Sequence, residues 1–198
     1  MIVYLHGLNS AGSSGKAAFI RQALADIEVF SPTYPAHSAD LAVTKLTREL
    51  TGLLDGKTIS SEPLIMVGSS MGGFYGAWLA GRLGFHHLLM INPALQPWRL
   101  LKQVVGWQFN EALKEGYFLS SRMVAATREF ATIPNQLNLP VTLLLDKGDE
   151  LIDYRIAQEL YGESAEVICF EGGSHTFEHM HQAVEIIAHK HNRYQHKS

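Results

Sequence analysis

Cysteine is nearly missing from this chain. Cys169 is the only one in 198 residues, so no intrachain disulfide can form and stability must come from a packed core. Charge is sparse as well. Lys, Arg, Asp and Glu make up 18% of the residues, the net charge is −3, and no basic block precedes the short His/Lys/Arg-bearing tail. That balance excludes the electrostatic footprint of a nucleic-acid-binding protein. No apolar run approaches the roughly 18 residues that a bilayer span needs. The N-terminal stretch carries neither a basic segment nor an apolar core with a cleavage site, so the expectation is a cytoplasmic protein without a signal peptide. Internal repeats and low-complexity segments are also absent. What is abundant is apolar residues, 46% of the chain, and glycine, 17 in number, a composition that fits one compact α/β domain over 1–198.

Short apolar runs alternate with helical patterns. The runs at 2–5, 27–30, 64–68, 88–92, 140–145 and 166–170 predict strands, and the spacing of apolar residues predicts helices over 15–26, 39–54, 71–83, 155–161 and 177–192. Strands and helices in alternation point to a mainly parallel sheet of about six strands with helices on both faces. The runs are continuous rather than alternating, as strands buried on both sides should be. Cys169, inside the last run, is expected to be core rather than reactive. The segment 93–139 breaks the alternation. It is rich in large apolar residues (Trp98, Leu100, Leu101, Val104, Val105, Trp107, Phe109, Tyr117, Phe118) and reads as a helical insertion, either folding over the strand ends as a lid or adding helical packing that shields the sheet edge.

One stretch carries chemistry. The run 64–67 leads into Gly68-Ser69-Ser70-Met71-Gly72, and a helical pattern (Phe74, Ala77, Trp78, Ala80, Leu83) follows at once. G-x-S-x-G is by itself a weak signal, but strand, sharp turn and helix form the context of a nucleophile elbow, with Ser70 at its apex. Gly68 and Gly72 are expected because a Cβ at either position would clash where strand and helix close on each other. A serine hydroxyl needs a base, and the base needs a carboxylate to orient it. After the run ending at 145 comes Asp146-Lys147-Gly148-Asp149-Glu150, with Asp153 just beyond; Asp149 is the best placed acid, with Asp146, Glu150 and Asp153 as alternatives. After the final run, Gly172-Gly173-Ser174-His175 offers His175 as the base. The amides of Met71 and of Leu8, the latter in the loop His6-Gly7-Leu8-Asn9-Ser10, are the expected oxyanion donors, with His6 orienting that loop. Tyr34, Trp98, Tyr117 and Phe118 are candidates for an acyl pocket.

Together, Tyr4-Leu5-His6-Gly7-Leu8-Asn9-Ser10, Gly68-Ser69-Ser70-Met71-Gly72-Gly73, Ile91-Asn92-Pro93-Ala94, Gly148-Asp149-Glu150 and Gly172-Gly173-Ser174-His175 resemble the bacterial YqiA/YcfP group of small α/β-hydrolase esterases. The resemblance runs from residue 4 to about 177. It implies a compact α/β-hydrolase fold lacking the two antiparallel N-terminal strands of larger relatives. It also implies a Ser70–Asp149–His175 triad and hydrolysis of a small-molecule carboxylic ester or thioester without a cofactor. The alternatives are a non-catalytic binding protein on the same scaffold and an acyltransferase using the same residues.

Two other patterns are set aside. Ser10-Ala11-Gly12-Ser13-Ser14-Gly15-Lys16-Ala17 has Ser10 where a P-loop needs Gly and Ala17 where it needs Ser or Thr. His175, Glu178, His179 and His181 do not form H-E-x-x-H, and no further ligand set accompanies them, so no metal site is expected. His189, His191 and His196 read as a solvated tail.

Overall fold

The computed structural model describes residues 1–55 and 62–195. In chain order the elements are β1 (Ile2–Leu5), α1 (Gly15–Ala23), β2 (Val29–Phe30), α2 (Ala39–Asp55), β3 (Ile65–Ser69), α3 (Met71–Leu79), β4 (His87–Ile91), α4 (Pro97–Leu101), β5 (Gly106–Asn110), β6 (Glu115–Leu119), α5 (Ser121–Ala126), β7 (Val141–Asp146), α6 (Tyr154–Tyr161), β8 (Glu166–Phe170) and α7 (Met180–Gln195). Six strands form one parallel sheet in the order β2-β1-β3-β4-β7-β8. The order runs outward from β1 in one direction and then in the other, so the carboxyl ends of β1 and β3 lie side by side where the winding reverses. Open α/β sheets build their sites at that place.

Alternate side chains of each strand feed two cores. Val3, Leu5, Met66, Leu88, Met90, Leu143 and Leu145 face α2, α3 and α6. Ile2, Tyr4, Ile65, Val67, Leu89, Ile91 and Leu144 face α1 and α7. Helix α2 buries Ala39, Ala42, Leu46, Leu50 and Leu54, one stripe at three- and four-residue spacing. Helix α3 is buried on nearly every side, which explains its glycines. A Cβ on Gly72 would lie 2.0 Å from the Leu5 carbonyl oxygen, and one on Gly68 would lie 2.3 Å from that of Gly72. The edge strands are less covered than the continuous apolar runs suggest. Strand β8 is half-buried along most of its length. Cys169 is accordingly half-buried; it packs against the core and accepts from Gln158 Nε2 at 3.4 Å.

The insertion departs from expectation. Only α4, α5 and short 3-10 turns are helical, and 106–119 forms an antiparallel hairpin instead. Its loop holds Glu111, Ala112, Leu113 and Lys114, good helix formers that hide a turn. The turn exists because Asn110 Oδ1 accepts from the backbone of Ala112 and Leu113, at 3.0 and 3.3 Å. Across the strands Trp107 meets Phe118 edge-on, and Tyr117 stacks on His37 at 3.9 Å. Those tertiary and cross-strand contacts override local propensity.

The C-terminal histidines differ too. His191 is buried within α7, with Nε2 3.2 Å from the N-terminal amine; His189 is exposed and His196 lies outside the described residues. At the amino end of the sheet, His87 is buried and bonded to Thr142 Oγ1 at 2.9 Å. Burial, reinforced by the Lys190 charge, pushes its imidazole down to about 4. The unfolded chain therefore binds a proton on this residue between pH 6.5 and about 4 that the folded chain refuses. This contribution to stability is complete above pH 6.5 and fades as pH falls through that window, by about 3 kcal/mol in total. Urea unfolding of wild type and His87→Gln at pH 7.5 and pH 4.5 should give a smaller acid-induced loss in the variant; equal losses would refute the assignment.

Candidate active site

Ser70 stands between β3 and α3 with φ 54° and ψ −120°. That region is hostile to any residue with a Cβ and persists only where surrounding packing imposes it. The imposition is visible in its bonds: Ser70 N–H donates to the Ile91 carbonyl at 3.0 Å, and its carbonyl accepts from Gly73 and Ala94 at 3.0 Å each. The result aims the hydroxyl above the carboxyl ends of the strands.

His175 reaches Ser70 from the loop after β8. Its Nε2 accepts from Ser70 Oγ at 3.1 Å, and its Nδ1–H donates to Asp149 at 2.9 and 3.1 Å. The side chain of Asp149 is 2% exposed. Its Oδ1 also accepts from the amides of Leu151 and Ile152, at 2.9 and 2.8 Å, which fixes the carboxylate's orientation. Thus Ser70, His175 and Asp149 stand within hydrogen-bond reach of one another, and the competing acids take other partners. Asp153 caps α6. Glu150 accepts from the backbone N–H of His175 at 2.9 Å, a bond that holds its carboxyl below the usual range. Asp146 is fully buried and pairs with His179. The proximity of His175 and His179 in sequence thus reflects two separate Asp–His pairs. Among the described residues, no group of His, Cys, Asp and Glu could hold a metal ion.

The loop after β1 runs beside Ser70, and a Cβ on Gly7 would stand 3.1 Å from that of Ser70. His6 is buried, stacks on Tyr34 at 4.2 Å, accepts from Tyr34 N–H at Nε2 and donates from Nδ1 to the Gly7 carbonyl at 2.8 Å. This pattern requires the neutral tautomer, consistent with burial lowering the pKa of the ring. The hairpin secures the next residues: Asn110 Nδ2 donates to the Ser10 carbonyl at 3.1 Å and Tyr117 OH to Asn9 Oδ1 at 2.8 Å.

Ser70, Met71, Leu8 and His175 open into a cavity of about 750 Å³. Its lining is apolar at Ala94, Pro97, Leu100, Leu101 and Val104 of the insertion and at Leu151 and Ile152, and polar at Ser10, Ser14, Lys16, Gln103, Glu150 and Thr176. None of Tyr34, Trp98, Tyr117 and Phe118 lines it. Tyr34 and Tyr117 border a separate cavity of about 360 Å³, and Phe118 is half exposed on the outer side of the hairpin. The apolar lining is instead aliphatic, supplied by Pro97, Leu100 and Leu101 of α4 together with Ala94, Val104, Leu151 and Ile152.

Solved structures share this architecture at low identity. Est1E from Butyrivibrio proteoclasticus superposes with a TM-score of 0.73, 16% identity, and coverage of 100% of this chain and 88% of that one. The alpha/beta hydrolase domain-containing protein 10 from mouse gives 0.70 at 18% identity, covering 98% and 90%. A monoacylglycerol lipase from Paleococcus ferrophilus gives 0.66 at 19%, covering 88% and 85%. All have the α/β-hydrolase fold, as does this chain. Residues 1–191 match one family over almost their whole extent, and the chain accordingly belongs to the Uncharacterised protein family UPF0227, the group of the YqiA/YcfP-like esterases.

Proposed function

We propose that this protein is a serine hydrolase cleaving small carboxylic esters or thioesters through an acyl-enzyme on Ser70. The observation that carries the reading is the unbroken relay of hydrogen bonds from Ser70 Oγ through His175 to Asp149, opening into a half-apolar cavity. The names of the structural neighbours, esterases and a lipase among them, are consistent with it.

In this reading Ser70 Oγ attacks the substrate carbonyl as His175 Nε2 takes its proton. Asp149 keeps the imidazole in the tautomer that accepts at Nε2 and stabilises the imidazolium. The carbonyl oxygen becomes an oxyanion and takes hydrogen bonds from the amides of Met71 and Leu8, the first at the amino end of α3 where the helix dipole adds to the attraction. The bond to the leaving oxygen or sulfur then breaks, and that atom takes the proton from Nε2. Water, deprotonated at the same nitrogen, attacks the acyl-enzyme; the bond from the acyl carbon to Ser70 Oγ breaks, Oγ takes that proton back from Nε2, and the acid is released. Each oxyanion donor contributes about 3–4 kcal/mol to the transition state.

The apolar lining supplied by α4 would receive the acyl chain. Leu100→Trp should fill it: activity on p-nitrophenyl octanoate is expected to fall about tenfold or more, while activity on the acetate stays within about twofold. Equal losses on both would place the chain elsewhere. A fluorophosphonate probe should label wild type at Ser70, and a folded protein that resists the probe would favour the non-catalytic binding reading. Product analysis in the presence of competing alcohols separates hydrolysis from acyl transfer.

A further inference from the structure

Asp146 is fully buried and makes no bond to Ser70, His175 or the proposed substrate cavity. Its carboxylate instead collects three donors from the far side of the His175 loop. Oδ2 accepts from the backbone N–H of Ser174 at 3.3 Å and of Glu178 at 2.8 Å, and Oδ1 accepts from His179 Nδ1 at 2.6 Å. These residues bracket His175 on both sides. Asn92, at the end of β4, completes the arrangement. Its Oδ1 accepts from Asp146 N–H at 2.9 Å, and its Nδ2 donates to the Ser174 carbonyl at 3.0 Å.

The loop has been shaped around this carboxylate. Gly173 has φ +74°, and a Cβ there would lie 1.9 Å from Asp146 Oδ2. Phe177, a buried aromatic, is forced to φ +63°. The His179 ring lies nearly flat on Phe170 at 4.6 Å, which fixes the plane in which its Nδ1 meets Asp146. Strain in a bulky residue survives only where neighbours over-determine the backbone, and three hydrogen bonds to the Asp146 carboxylate together with the two made by the Asn92 side chain supply that constraint.

We propose that Asp146, Asn92 and His179 form a latch that positions the His175 imidazole against Ser70. They are positioning residues: Asp149 sets the tautomer of the imidazole and stabilises its charged form, whereas the latch fixes where the base stands. The inference rests on the proposed role of His175, and a displacement of about 1 Å at such a base is enough to cost on the order of 100-fold in rate.

The experiment measures kcat per active site, counted by fluorophosphonate labelling, together with KM on p-nitrophenyl butyrate and thermal unfolding. His179→Ala and Asn92→Ala should lower kcat about 10- to 100-fold per labelled site with KM within about twofold. Asp146→Asn should retain most of the activity, because its amide oxygen can accept from Ser174 and Glu178 while His179 switches tautomer to accept from the amide nitrogen. Asp146→Ala, which cannot, should fall with the other two. Variants that unfold more easily but keep wild-type kcat per labelled site would overturn the latch and leave those residues merely structural. A second readout is independent of turnover: the downfield proton NMR signal of the His175 Nδ1–H bonded to Asp149 should shift or broaden in His179→Ala and return in Asp146→Asn. A wild type that takes no label would defeat the serine-hydrolase reading, and the NMR signal would still decide on the latch.

Discussion

Ser70→Gly is expected to give a more stable protein with no measurable esterase activity. The backbone at Ser70 (φ 54°, ψ −120°) is one that glycine adopts freely and other residues adopt at a cost of about 1–3 kcal/mol. Glycine removes that cost but adds conformational entropy to the unfolded chain, about 0.4–1 kcal/mol. The hydroxyl's bond to His175, 3.1 Å long and partly exposed, is a small loss. The net gain should be about 1 kcal/mol, or roughly 2–4 °C in Tm for a chain of this size. Activity on p-nitrophenyl butyrate should meanwhile fall by about 10⁶-fold, near 8 kcal/mol of transition-state stabilisation. Ser70→Ala provides the control. It keeps the Cβ that makes the conformation costly, so it should lose the activity without the gain in stability. A Ser70→Gly protein that melts lower than Ser70→Ala would show that the elbow stores no strain. One that keeps its activity would remove Ser70 from the chemistry.

Asp149→Asn should lower kcat by about 10⁴-fold, or about 5.5 kcal/mol, with little change in stability. The amide oxygen can still accept from Leu151 and Ile152, which bond Oδ1 at 2.9 and 2.8 Å, so the loop keeps its shape. That choice turns the NH2 group toward His175 Nδ1. The imidazole then moves its proton to Nε2, where it can no longer accept from Ser70. Geometry survives and the tautomer does not. The same substitution at Asp146 should be mild by comparison, since Asp146 does not set the tautomer of His175. Reversed effects at the two positions would hand the acid's role to Asp146, which stands only three residues earlier in the chain.

Much of this was legible in the chain. The elbow could be read because its requirements are local: an apolar strand, glycines where Gly68 and Gly72 must approach Leu5 and each other, and an apolar helix directly after. The parallel sheet followed from continuous apolar runs separated by amphipathic helices, such as the stripe from Ala39 to Leu54 in α2. The hairpin at 106–119 was hidden, because Glu111 to Lys114 favour helix and the contacts that decide otherwise, Tyr117 on His37 and Trp107 on Phe118, pair residues distant in the chain or across a turn with no glycine. The lining of the cavity beside Ser70 was misread for a related reason. Aromatic residues are conspicuous in a sequence, but which of them faces a cavity depends on the packing of the whole insertion.

The order of the reactive residues, each placed just beyond an apolar strand, belongs to the sequence itself, since strand ends on one edge of a parallel sheet must converge. Two aspartates and two histidines, however, sit within a few positions of one another on facing loops. Only the folded arrangement assigns Asp149 to His175 and Asp146 to His179. Those pairings depend on left-handed turns at Gly173 and Phe177, on a side chain reaching across from Asn92, and on hydrogen bonds that span about thirty residues or more, and no local pattern encodes any of them.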